Sequence, residues 1–154
     1  ILFGYLLPQT LQMPVAGANT GSYNHNSYWA YPWGKSITHK GVDIFAPKGT
    51  AVVSATHGIV FSTGVNDRGG NFALVLGPKW RVHYYAHLEK TLCHPFQIVQ
   101  SGQKIGTVGD SGNAKGKPPH LHYVIATPIP YIWRIDAGIQ GYLKCFYLNP
   151  IDYF

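Results

Sequence analysis

The chain has 154 residues, enough for one domain with a substantial buried core, and 45% of them are apolar against only 12% charged. That balance, with 14% aromatics and no low-complexity tract, excludes a disordered chain. The net charge of +6 suits an anionic partner, but the basic residues are scattered, and neither paired-Cys zinc fingers nor a basic zipper is present.

The chain starts at Ile1, as a processed or trimmed product would. Residues 1–7 are apolar but far too short to span a bilayer, and they read as a segment or strand packed on the domain. Residues 8–38 are rich in Pro, Gly, Asn, Ser and aromatics, an irregular lead-in that wraps the domain. From Gly41 onward the chain breaks into short β-like runs. Residues 50–55 and 58–63 flank Thr56-His57 as a hairpin, and 72–76 and 80–86 flank Gly77-Pro78-Lys79 as a second. Residues 104–108 and 121–126 complete the set, with a glycine-rich mobile loop, 109–119, leading into His120. Sustained helical spacing and internal repeats are absent, so the expected fold is mainly β: a small antiparallel sheet with long loops forming a substrate groove. A single domain over 1–154 is expected, with the lead-in over 1–38, a core over 39–126 and an aromatic C-terminal extension over 127–154.

Three segments carry chemistry. In His39-Lys40-Gly41-Val42-Asp43 the spacing of four gives His39 and Asp43 a common face in an extended segment, and Gly41 with two β-branched neighbours disfavours helix. In His120-Leu121-His122 the two imidazoles leave the same face of a strand while Leu121 points into the core. In residues 81–87, alternation places His83, Tyr85 and His87 on one face. Four histidines and one aspartate exceed what a single zinc ion binds. Catalytic zinc sites take three protein ligands and leave a position for water, so the surplus histidines point to acid–base work. Mixed His and carboxylate ligands without thiolate match a hydrolytic rather than a structural site. Each piece has a plainer reading by itself: His-x-His as an exposed strand pair, His-x-x-x-Asp as chance, His87 as a hydrogen-bonded strand histidine. Only the conjunction is specific. His25, His57, His83 and His94 lack comparable partners and read as structural or surface residues. The run 112–118 is one spacer short of a phosphate loop and has Pro118 where Ser or Thr would hold magnesium, which rejects a nucleotide site. Cys93 and Cys145 permit one disulfide without demanding it.

His39-Lys40-Gly41-Val42-Asp43, Tyr85-Ala86-His87-Leu88 and Pro119-His120-Leu121-His122-Tyr123 resemble the three signature segments of the M23 family of zinc metallopeptidases, the lysostaphin/LytM-type enzymes. The flanks agree over 43–50, 102–109 and 111–113, and Asn149-Pro150-Ile151-Asp152-Tyr153 resembles the family's closing motif. The resemblance covers about residues 11–154. It implies one Zn2+ per chain held by His39, Asp43 and His122, with His87 and His120 beside the metal-bound water as general base and oxyanion stabiliser, in an order the sequence leaves open. It also implies cleavage of peptidoglycan peptides, either stem-peptide cross-links or interpeptide bridges. Tyr84 and Tyr85 are candidates for a substrate-facing hydroxyl, against the plainer role of packed strand aromatics. The expected location is extracytoplasmic, in a bacterial periplasm or cell envelope or secreted, with room for an upstream anchor or pro-segment and no nucleic-acid partner. Two other classes compete: a non-catalytic wall-binding or amidase-activating member, which usually loses ligands that this chain keeps, and a basic polysaccharide- or nucleic-acid-binding β-domain, which leaves the histidines unexplained. The segment 129–146 is longer than in a compact member and bears on substrate choice and oligomerisation.

Overall fold

The computed structural model describes residues 2–154; Ile1 lies outside the described residues. Among the described residues nine strands form one antiparallel sheet: β1 (Val42–Phe45), β2 (Ala51–Val53), β3 (Gly58–Asn66), β4 (Gly70–Leu76), β5 (Val82–Thr91), β6 (Ile98–Val99), β7 (Lys104–Val108), β8 (His120–Ala126) and β9 (Tyr147–Leu148). The order along the main path is β1-β8-β5-β4-β3-β6, with β7 joining β2 to β5 and β9 lying on β8. The mainly-β expectation holds, because β-branched and aromatic residues alternate over short runs that pack one face inward.

Two expectations are corrected. The hairpin expected across Thr56-His57 does not form, since β2 pairs with β7 and β3 pairs with β4 and β6. Residues 54–57 instead carry the chain between these neighbours, with Ser54 N–H donating to Gln103 O. The apolar start of the chain packs on the domain as expected, but as a short helix, α1 (Leu2–Leu6), and not as a strand. Its Gly4 lies so close to the Trp80 indole that a Cβ would come within 2.6 Å of it, and Tyr5 meets Tyr131 edge-on. The second expected hairpin is present: β4 and β5 pair through the tight turn at 77–81, with Trp80 in the turn rather than in the strand. The lead-in adds to the sheet at β2, where Val53 N–H donates to Pro14 O and Ala16 N–H to Ala51 O. Cys93 and Cys145 are both free thiols. Among the described residues no helix is long and apolar enough to cross a membrane.

Strand β8 organises the interior. Leu121, Tyr123 and Ile125 are fully buried and pack with Val42, Ile44, Val52, Tyr85, Leu88 and Ile105, while His120 and His122 leave by the opposite face. The register sets Asp43 against His122 across β1 and β8, and Ala86 against His122 across β5 and β8. Gly41 lets the preceding segment lie flat on β8, because a Cβ there would fall 2.3 Å from Tyr123 O.

Behind the core, His83 is fully buried between two polar partners. The Gln9 amide nitrogen, a donor only, faces Nε2 at 3.1 Å, so Nε2 accepts and Nδ1 donates to Tyr123 Oη at 2.6 Å. Burial, and then the nearby Arg81 charge, push the imidazole pKa down to about 3. The folded value lies below the unfolded one, so the neutral ring stabilises the fold fully above about pH 6.5, and this contribution is lost as pH falls towards 3. Acidification from pH 7 to 5 is therefore expected to cost roughly 2 kcal/mol through His83 alone. Denaturant titrations of the wild type and His83→Gln at the two pH values check this. The variant should show the smaller pH dependence whatever its absolute stability, and equal dependence would refute the assignment.

Candidate metal centre

Three segments meet on the outer face of the sheet at its β1–β8–β5 junction. Asp43 lies in β1 and His120 and His122 in β8, while His39 lies just before β1 on an irregular stretch. His39 is placed by the lead-in: its N–H donates to Ala30 O at 3.0 Å, and its carbonyl accepts from Trp29 N–H at 2.6 Å. The result is a tight triangle. His122 Nδ1 lies 2.8 Å from Asp43 Oδ1, His39 Nε2 lies 3.1 Å from the same oxygen, and the two ring nitrogens are 3.1 Å apart.

The chemistry of this triangle fits a divalent cation. His39 Nδ1 lies 2.9 Å from Ser27 O, and a carbonyl can only accept, so Nδ1 carries the proton and neutral His39 turns a bare lone pair at Nε2 into the triangle. Two imidazole nitrogens and a carboxylate oxygen then converge with a shortage of protons among them. Donors at about 2.0–2.2 Å from a tetrahedral zinc ion stand about 3.3 Å from one another, close to the observed spacings. His39, Asp43 and His122 are thus the group that could hold a metal ion. Burial alone would raise the Asp43 carboxyl, but the adjoining imidazoles, His122 first and then His39, outweigh it and hold the group well below the usual carboxylate range.

His87 and His120 stand beside the triangle, their rings 5.0 Å apart and edge to face. His120 Nε2 is 4.0 Å from Asp43 Oδ1, and the His87 ring centre is 5.8 Å from that of His122. Both rings are oriented by main-chain carbonyls: His120 Nδ1 donates to Pro118 O at 2.8 Å and His87 Nδ1 to Ser111 O at 2.9 Å. As neutral rings, each presents its Nε2 lone pair to the site. Burial, reinforced by His122 and His120, pushes the His87 pKa down to about 4.

The shared face expected for His83, Tyr85 and His87 is corrected. His83 and Tyr85 do point together, but into the core. Strict alternation would send His87 after them. Instead a bulge displaces the pairing of β4 with β5 after Asn71, and His87 takes φ +62°, which turns its ring to the outer face. The strained backbone is held by His87 N–H donating to Gly69 O at 2.7 Å. Tyr85 is wholly buried and its hydroxyl accepts from Ala55 N–H, with burial pushing its pKa up to about 12; nothing connects it to the groove. Tyr84 lies on the outer face, half-buried, edge-on to His122 at 6.4 Å. The loop 109–119 is pinned where it passes the site: Ser111 Oγ donates to Leu88 O and accepts from Asn71 N–H.

Two aromatic residues that sequence reasoning left aside flank the centre. Trp33 stacks on His39 at 4.1 Å and Phe45 lies against His120 at 5.3 Å, both with exposed edges. Between them a recess of about 210 Å³ opens beside Asp43, lined also by Asn24, Asn26, Ser27 and Ala30. An exposed tryptophan six residues before His39 was visible in the sequence, but nothing there ties it to the metal ligands.

With this geometry, comparison with known proteins is informative. The model of Peptidase family M23 matches residues 37–130. The chain is 35% identical over 103 residues to the peptidoglycan DD-endopeptidase ShyC of Vibrio cholerae, covering 66% of this chain and 23% of that protein. It is 39% identical over 119 residues to the L-Ala--D-Glu endopeptidase of Bacillus subtilis, covering 66% of this chain and 34% of that one. The chain thus spans about a third or less of these curated relatives. Among solved structures, a zinc-containing peptidase from Vibrio cholerae superposes with a TM-score of 0.63 at 27% identity, over 77% of this chain and 36% of that one. A family match across more than half the chain, with the metal triangle inside it, makes this chain a member of peptidase family M23.

Proposed function

We propose that the chain is a zinc-dependent endopeptidase that hydrolyses peptide bonds in bacterial peptidoglycan, with one zinc ion on His39, Asp43 and His122 and the proton handled by His87 and His120. One observation carries the reading. Beside the metal triangle stand two further imidazoles, each committed at Nδ1 to a carbonyl and each left with a free Nε2. A structural metal site has no use for such a pair, whereas hydrolysis needs it.

When bound, zinc polarises the scissile carbonyl and lowers the pKa of an attacking water towards neutrality. His87 and His120 supply what remains. A proton accepted at Nε2 makes an imidazolium whose Nδ1–H already donates to Ser111 O or Pro118 O, so the charged form arises without reorganisation. The same ring returns its proton from Nε2 to the leaving amine, and the other ring, once it has taken up a solvent proton at Nε2, donates to the oxyanion. Trp33 and Phe45 wall the recess beside Asp43, where a substrate residue would lie against two flat rings and exclude water. The names of the two curated relatives specify different bonds, so the proposal stops at peptidoglycan peptides. A polymer of that kind places the enzyme in the cell envelope. The scattered positive charge suits such an anionic wall better than a nucleic acid, for which no basic stripe exists in the sequence.

Chelator treatment should abolish release of soluble peptides from purified peptidoglycan, and added zinc should restore it; mass spectrometry of the digests also identifies the bond. Peptide release that persists without metal, or zinc-loaded protein that releases nothing, would contradict the enzyme reading, the latter favouring a non-catalytic wall-binding module. His87→Ala and His120→Ala are each expected to lower kcat by about 10²–10⁴-fold while zinc content and melting temperature stay near wild type. His39→Ala should lose the zinc itself. A His120→Ala variant as active as wild type would remove that ring from the mechanism.

A further inference from the structure

Most of the segment 129–146 lies beyond the part of the chain that matches the family, and its conformation is braced from within. Its base is closed by Thr127 N–H to Phe146 O at 3.0 Å and Tyr131 N–H to Cys145 O at 2.9 Å. Inside the loop, Lys144 pairs with Asp136, and Gly141 sits so close to Asp136 that a Cβ there would lie 2.2 Å from its carbonyl oxygen. The braced loop presents Gln140, which adopts the left-handed backbone region at φ +53°. Glycine or asparagine adopts that conformation at lower cost, so a glutamine held there points to a use for its side chain.

That side chain reaches the metal-ligand segment. Gln140 Oε1 accepts from Thr38 Oγ1 at 2.7 Å and from Lys40 Nζ at 2.8 Å, the two residues on either side of His39. Thr38 is fully buried, and Lys40 Nζ also donates to Ser36 O at 2.9 Å and lies over the Trp29 ring at 5.7 Å. The neighbouring Ile139 carbonyl accepts from Trp29 Nε1 at 2.9 Å, and Trp29 is the residue whose N–H meets His39 O. The loop therefore grips both strands of backbone that hold His39.

We infer that Gln140 is a positioning residue for the metal centre, acting through Thr38 and Lys40 to hold His39 Nε2 on the triangle. The inference rests on the reading of His39, Asp43 and His122 as zinc ligands. One amide oxygen ties the flanks of a ligand that lies outside the sheet strands and is held in the main chain by Ala30 O and Trp29 N–H instead of a sheet ladder. The segment 129–146 is thus a support for the centre.

The test uses the full chain and zinc itself, in competition with a chromophoric chelator. Gln140→Met keeps length and removes the acceptor; it should weaken zinc binding about tenfold, while the melting temperature of the metal-free protein stays close to wild type. Gln140→Glu keeps an oxygen for both donors and should restore affinity. Thr38→Val removes one donor and should weaken binding too, and the double variant should lose less than the two single losses together. Unchanged affinity in Gln140→Met, equal loss in Gln140→Met and Gln140→Glu, or strictly additive losses would overturn the inference. A wild-type chain that does not bind zinc would instead overturn the metal-site reading beneath it.

Discussion

The register of β8 between β1 and β5 is the constraint on which the molecule depends. In an antiparallel sheet a slip of one residue exchanges the two faces of a strand. On β8 such a slip would bury His120 and His122 and expel Leu121, Tyr123 and Ile125, destroying the centre and the core in one step. The apolar face therefore enforces the register on which the polar face depends. With that register, His122 lies opposite both Asp43 and Ala86, and the carboxylate meets the imidazole without help from any loop.

Loops do the remaining work by supplying carbonyl oxygens. Ser27, Ser111 and Pro118 each offer a main-chain acceptor to the Nδ1 of a different histidine, and in each case the consequence is a bare Nε2 directed at the site. Strands cannot spare such carbonyls, because theirs are used in the ladder. This is why the lead-in and the loop before β8 are tied to the sheet at these points, although each holds no more than short helical turns. The left-handed backbone at His87 belongs to the same economy of shape, since only a departure from strand alternation brings a third element's imidazole to the outer face.

Electrostatically the centre is arranged for a cation. Asp43 is partly buried, yet two imidazoles hold it ionised, and His87 is kept neutral by its burial and by the neighbouring rings. The aromatic walls, Trp33 and Phe45, lower the local polarity around this cluster and leave one side open beside Asp43. Such an environment would strengthen the hold of the three donors on a cation, while the recess stays open to solvent.

Much of this was legible in the residues. The spacing of His39 with Asp43 and of His120 with His122 already implied shared faces, because strand geometry is periodic and local, and Leu121 between two histidines already implied an amphipathic strand. Composition likewise settled the choice of β over helix. Non-local pairing was not legible: residues 50–55 and 58–63 look like a hairpin, but each finds a better partner elsewhere in the sheet. The same holds for Tyr85, whose neighbour His87 faces the His120–His122 side while Tyr85 faces the core, a division made by one bulge and one positive φ. Backbone acceptors leave no trace in side-chain identity, so Ser27, Ser111 and Pro118 could not have been found by reading letters. By itself the sequence determined which groups could bind a metal and which could move a proton, since that is the chemistry of side chains. Only the tertiary structure decided which nitrogen of each ring faces the site, because that depends on carbonyls brought there by distant parts of the chain.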